Sequence, residues 1–323
     1  VLDTGIDLTQ QNMLARIKDS KANYATSGYA QSIMDDNGHG TKVASVIINN
    51  TEDPIKVLPI KVANSEGKAT ITSTYFGIKT AIENNADIIN ISLSTLGTEK
   101  SDILEEAIKE AKEKGIEVVV AAGNYGGEVE YVTPANIEEA ITVGAVTKEN
   151  QKAEYATYGE QIDYVGYGNE VEVTGLNGEK TKENGTPFAA ANVTAIIAKL
   201  KSTQIPNLEE TMNKYAIDLG EKGKDQYYGN GLITLEKVEE DKIGNEEIDL
   251  KVGIKDLENW KEMTDEELNY YLTNMEEAYL AVFIQGLSKE DLNEITKKNT
   301  ILMYDYIEYY EEQNIEELEA NGQ

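Results

Sequence analysis

Short apolar runs alternate with helical stretches along the first three quarters of the chain. Lys56–Val62, Asp87–Ser92, Ile116–Ala122 and Ala140–Val146 are rich in β-branched residues and have the length of strands. Between them, Thr70–Asn85 and Glu99–Lys114 carry apolar residues at helical spacing. In the second, Ile103, Leu104, Ala107, Ile108 and Ala111 form one face, and Gly115 supplies a stop. Strand–helix–strand alternation with unbroken apolar strands predicts an α/β fold, a parallel sheet with helices on both faces. In such sheets chemistry sits in loops beyond the carboxyl ends of the strands. Three loops of that kind are Asp3-Thr4-Gly5, Ser92-Leu93-Ser94 and Gly123-Asn124.

The pattern changes near Gly244. Trp260, Leu268, Tyr271, Leu272, Met275, Tyr279, Leu280 and Phe283 recur at helical spacing, followed by Leu302, Met303, Tyr306 and Tyr310. Ser288 reads as an N-cap before Lys289–Lys298. We expect residues 1–243 to form the α/β domain and 244–323 a small helical extension of about three helices, its aromatic face turned inward. The start, Val1-Leu2-Asp3, reads as a strand end running into a turn with no initiator Met or leader before it. We therefore expect an N-terminal part of the domain to be missing.

Charge narrows the partners. The 323 residues carry 29 Lys+Arg against 59 Asp+Glu, a formal net charge of −30. The extension alone holds 21 Asp+Glu and 6 Lys, a net of −15, which reads as solvated helix faces. Such acidity argues against a nucleic-acid or anionic-membrane binder, and no apolar run reaches the roughly 20 residues of a membrane span. Arg16 is the sole arginine, and cysteine is absent, which removes disulfide, thiolate and Cys–zinc chemistry.

His39 is the only histidine, flanked by Gly38 and Gly40 at the start of a small-residue helix. A lone histidine is more often structural than catalytic, but glycines on both sides allow close backbone approach at a helix N-terminus. Asn124 is a strand-end amide able to donate to an oxyanion, or simply a turn residue.

The blocks VLDTGID, HGTKVAS, INISLS, VVAAGN and NGTPFAAANV, in this order and rough spacing, resemble the subtilisin-like serine proteases, the subtilases. Tyr227–Ile233 also looks like that family's closing strand. The resemblance covers about Val1–Val238 and implies a subtilisin-like fold. It matches Asp3 to the triad aspartate, His39 to the general base and Asn124 to the side-chain oxyanion donor. It likewise implies that Ser92, Leu93 and Ser94 pair with an extended substrate and wall the primary pocket, opposite Ala122 and Gly123. Ser94 replaces the family's usual glycine.

The departure is at the nucleophile, where Gly185-Thr186-Pro187-Phe188-Ala189 puts Pro187 in the serine's place, and Ala191-Asn192 replaces a Pro-His pair. Proline offers neither a hydroxyl nor the N–H that forms half of the oxyanion hole. It suits the first turn of a helix, here expected over Pro187–Lys201 with Thr186 as its cap. The sequence therefore reads as a pseudoprotease that keeps a cleft for an extended peptide or a pro-segment. The alternative is an active endopeptidase using Thr186, and a third reading gives the function to the acidic tail. The resemblance also implies an extracellular or cell-surface location. No metal ligand set is expected, with Ca²⁺ at Asn49–Asp53 the one weak candidate.

Overall fold

The structure, a computed structural model, describes residues 1–18, 24–26, 32–52, 54–97, 100–203 and 207–237, together with Lys261, Ser288 and Asp291. The first half of the domain runs β1 (Leu2–Asp3), α1 (Gln11–Leu14), α2 (His39–Asn49), β2 (Ile60–Lys61), α3 (Ile71–Glu83), β3 (Ile88–Ile91) and β4 (Thr95–Leu96). Then follow α4 (Asp102–Glu113), β5 (Glu117–Ala121), β6 (Val132–Thr133), β7 (Ile141–Val146), β8 (Tyr164–Tyr167), β9 (Val171–Thr174), β10 (Lys180–Glu183), α5 (Thr186–Ser202) and α6 (Leu208–Tyr215).

Six strands form one sheet in the order β2-β1-β3-β5-β7-β8, and every adjacent pair is parallel. Alternation along β5 shows why its sequence is apolar throughout. Val118 and Val120 pack with α3 and α4 through Ile78, Leu104 and Ile108. Val119 and Ala121 face the other way, onto Val193, Ile196 and Ile197 of α5. Helices thus cover both faces, and each fully buried Val or Ile contributes roughly 1.5–3 kcal/mol. A third cluster joins Val43, Val46 and Ile47 of α2 to Phe188 and Ala191 of α5.

Sequence signals set the helix ends. Thr70 and Ser73 form a reciprocal cap at α3, each hydroxyl accepting the other's backbone N–H at 3.0 and 2.9 Å. Beyond α4, Gly115 adopts φ +74°. Three expectations need correction. β2 is confined to Ile60–Lys61 because Pro59 cannot donate to a ladder, and Val57 instead bridges Ile17. Ile103 is 45% exposed, so the buried stripe of α4 is narrower than its apolar spacing implied. Leu232 of the closing segment makes isolated bridges to Val165 and Ile217 without extending into a strand.

The chain divides into two compact units, Val1–Glu239 and Glu240–Gln323. In the second, the Ser288 hydroxyl donates to Asp291 Oδ2 at 2.7 Å and accepts the Asp291 N–H at 3.2 Å. Lys261 Nζ lies 2.5 Å from Asp291 Oδ1. The expected helices of the extension and their aromatic face lie outside the described residues.

Candidate functional site

Asp3 ends β1 and is 1% exposed. Its Oδ1 accepts the N–H of Thr4 at 2.7 Å and lies 2.7 Å from Nδ1 of His39, the first residue of α2. A carboxylate can only accept, so this contact places the proton on Nδ1 and leaves Nε2 as the basic nitrogen. Asp3 Oδ2 is buried and has no hydrogen-bond partner among the described residues. Burial works to lower the His39 pKa. The charge and hydrogen bond of Asp3, helped by the charge of Asp35, outweigh it and hold the imidazole above its ordinary value.

The two loops carrying this pair are tied together. A Cβ on Gly40 would fall 2.4 Å from the carbonyl oxygen of Gly5, so only glycine permits this approach. The Gly40 N–H donates to Thr4 Oγ1, whose hydroxyl donates to Asp35 Oδ1, both at 2.8 Å. Buried Asp35 also accepts the N–H groups of Asn37, Gly38 and Thr41 and the Thr41 hydroxyl. Burial opposes its ionisation, but these hydrogen bonds prevail and its pKa is lowered. Asp35 was not among the residues singled out from sequence. Its position four residues before a helix-opening histidine is the signal that could have found it.

Asn124 sits beyond β5. Its Oδ1 accepts both the N–H and the hydroxyl of Thr186, at 2.9 and 3.0 Å. The Thr186 hydroxyl in turn accepts the N–H of Gly123 at 3.0 Å. Thr186 is therefore the first residue of α5 and spends its hydroxyl on Asn124, whereas Gly185 holds the N-cap position; the expected Thr186 cap is not formed. With Oδ1 committed, Asn124 has Nδ2 left for a ligand.

Pro187 is the second residue of α5, where its missing N–H costs nothing. Its carbonyl accepts the Ser92 hydroxyl at 3.1 Å, and Ser92 Oγ accepts Asn90 Nδ2 at 2.9 Å. Leu93 and Ser94 lie partly exposed between β3 and β4, in neither ladder, whereas Ala122 and Gly123 are buried after β5. His39, Asn124, Pro187 and Phe188 line a cavity of about 300 Å³. Lys42 and Glu183 line it too and pair with each other, a charged contact that sequence reasoning missed. A larger cavity of about 440 Å³ opens at the other end of the strands, beside Val1, Ile88 and Lys201. It is mainly apolar and far from His39.

In the loop that begins at Asn49, the carbonyls of Thr51 and Glu52 accept hydrogen bonds from the Arg16 guanidinium at 2.8 and 3.0 Å. Among the described residues no group of three or more His, Asp or Glu side chains could hold a metal, and no helix is long and apolar enough to cross a membrane.

The arrangement matches known proteins. The profile of the subtilase family matches residues 1–231. The minor extracellular protease Epr of Bacillus subtilis (strain 168) is 32% identical over 245 residues, covering 72% of this chain and 37% of Epr. The match thus spans little more than a third of that relative's length. Subtilisin DY of Bacillus licheniformis is 34% identical over 217 residues, covering 62% of this chain and 77% of the relative. Among solved structures, a cold adapted subtilisin-like serine proteinase aligns with TM-score 0.64 and 22% identity, covering 72% of this chain and 86% of that one. A lanthipeptide protease aligns with TM-score 0.67 and 20% identity, covering 73% and 84%. A parallel sheet flanked by helices, with Asp3, His39 and Asn124 at the carboxyl ends of its strands and helix starts, is thus explained by descent: the chain belongs to the subtilase family.

Proposed function

We propose that this subtilase is a pseudoprotease that binds an extended peptide, or a pro-segment, in its cleft without cutting it. The observation that carries the reading is Pro187 at the start of α5, beside an otherwise assembled His39–Asp3 pair and an oriented Asn124 amide. In serine-dependent hydrolysis a hydroxyl attacks the carbonyl, an imidazole takes its proton, and N–H donors stabilise the oxyanion. Here Asp3 still orients His39, His39 can still accept a proton at Nε2, and Asn124 Nδ2 can still donate. The attacking oxygen and the second N–H donor are absent from residue 187. Loss of one oxyanion donor alone typically costs ~10²–10³ in rate.

Thr186 carries the hydroxyl next to that position in sequence, but it is fully buried and engaged by both Asn124 and Gly123. That commitment counts against the active endopeptidase reading. Leu93 and Ser94 lie partly exposed and in no ladder, which supports binding of an extended backbone by strand addition. Likeness to Epr supports a place outside the cell.

The test is an activity-based fluorophosphonate label on the purified full chain, run beside an active subtilisin. We expect the subtilisin to label and this chain to stay unlabelled. A covalent adduct on this chain, located by mass spectrometry, would reveal a hidden nucleophile and restore the endopeptidase reading.

A further inference from the structure

Tyr125 bridges the segments that hold Gly123 and Ser94. Its hydroxyl donates to the carbonyl oxygen of Ser94 at 3.2 Å. Its ring lies against Gly123, where an added Cβ would fall 2.9 Å from Cδ2 and Cε2. The backbone beneath is anchored: Tyr125 N–H donates to Thr157 Oγ1 at 3.3 Å, and that hydroxyl donates to Gly123 O at 2.8 Å. The next N–H, of Gly126, donates to Tyr155 O at 2.9 Å. A fixed base and a long ring thus carry the hydroxyl from the Gly123 side across to the Ser94 side.

The contact is exposed to solvent. Tyr125 is 43% exposed, so its ring holds no core together, and a solvent-exposed neutral hydrogen bond is readily exchanged. Ser94 belongs to no ladder, so its carbonyl is a group that an added strand would use.

We propose that Tyr125 is a strap across the cleft. Its hydroxyl competes with an incoming peptide backbone for the Ser94 carbonyl, and its ring limits the side chain that can sit between Ser94 and Gly123. The inference rests on the reading that the cleft takes an extended peptide.

The test uses the full chain and fluorescein-labelled hexapeptides that differ only at one position, bearing Ala, Leu or Phe, with binding read by fluorescence anisotropy. Tyr125→Phe keeps the ring on Gly123 and deletes the competing hydroxyl. It should tighten all three peptides by a similar factor, several-fold and up to about tenfold, the worth of one neutral hydrogen bond. Tyr125→Ala also removes the ring, and should favour the Phe peptide over the Ala peptide on the order of tenfold more than the unmodified chain does. If Tyr125→Ala fails to fold, Tyr125→Phe carries the decision alone. Equal affinities across the three forms, with unchanged preference, would overturn the strap and leave the peptide-binding reading standing. Failure of every form to bind any peptide would overturn that reading and the strap with it.

Discussion

Nδ1 of His39 stands 2.7 Å from Oδ1 of Asp3, so a proton-accepting pair persists next to a residue that has no proton to give. Because His39 is the only histidine, its imidazole signals can be followed by NMR without assignment. The titration midpoint should lie above 6.5, since Asp3 more than offsets burial. Asp3→Asn should drop it below 6.5, because burial then dominates. A folded-state pKa above the unfolded one means the pair stabilises fully below about pH 6.5 and loses that contribution as pH rises through the folded value. A midpoint at or below 6.5 in the unmodified chain would contradict the assignment.

Pro187→Ser restores a hydroxyl and a backbone N–H at one stroke. His39 with Asp3, and Asn124 with the new N–H, then regain a full set of groups. We expect detectable turnover of a generic peptide substrate, slower than an active subtilisin by ~10² or more, because a misplacement of ~1 Å costs about that much. Lys42 and Glu183 in the same cavity, Ser94 between β3 and β4 and Asn192 beyond α5's first turn are the reasons to expect drift. Turnover no faster than that of Pro187→Ser/His39→Ala would show that the cleft lacks more than a nucleophile.

Most of the frame was legible because its signals are local. Apolar runs gave β3, β5 and β7 to within a residue or two, and Thr70 and Gly115 marked helix ends by their own hydrogen-bonding or backbone preferences. The candidate residues Asp3, His39, Asn124 and Pro187 stood out through motif blocks, not through periodicity. What escaped were contacts between residues distant in sequence and individually ordinary. Lys42 with Glu183, Tyr125 with Ser94, and Thr186 with Asn124 become pairs only when the fold brings them together.

Gly40→Ala should destabilise by about 2 kcal/mol or more in urea unfolding, as overpacking against unyielding groups costs ~1–3 kcal/mol. The new methyl would meet the Gly5 backbone at 2.4 Å, where no side chain can yield. Gly127→Ala is the control, with no atom within 4 Å of the added carbon, and should change stability by less than about 0.5 kcal/mol.

Asp7 gathers four hydrogen bonds: from the Thr9 N–H and hydroxyl, from Gln10 Nε2 and from the Asn177 N–H. Burial alone would raise its pKa, but these donors bring it down to about 2. Its stabilisation is therefore present above about pH 3.9 and is lost as pH falls through about 2. Asp7→Ala should cost about 2 kcal/mol at pH 7. The difference from the unmodified chain should shrink steadily below pH 4. A difference that stays constant down to pH 2 would show that the carboxylate's charge is not what Asp7 supplies.

The strand order has a consequence for how the chain becomes a protein. β1 lies inside the sheet and pairs with Ile60–Lys61 on one side and with Ile91 on the other, so its two neighbours follow it by some sixty and ninety residues. The lock on Asn124 waits longer still, for Thr186. Mean sequence separation of this kind slows folding. A chain halted before α5 would hold Asp3 and His39 near each other yet leave the far wall of the cleft unsupported. The cleft is thus completed late, as a property of the whole domain closing on itself.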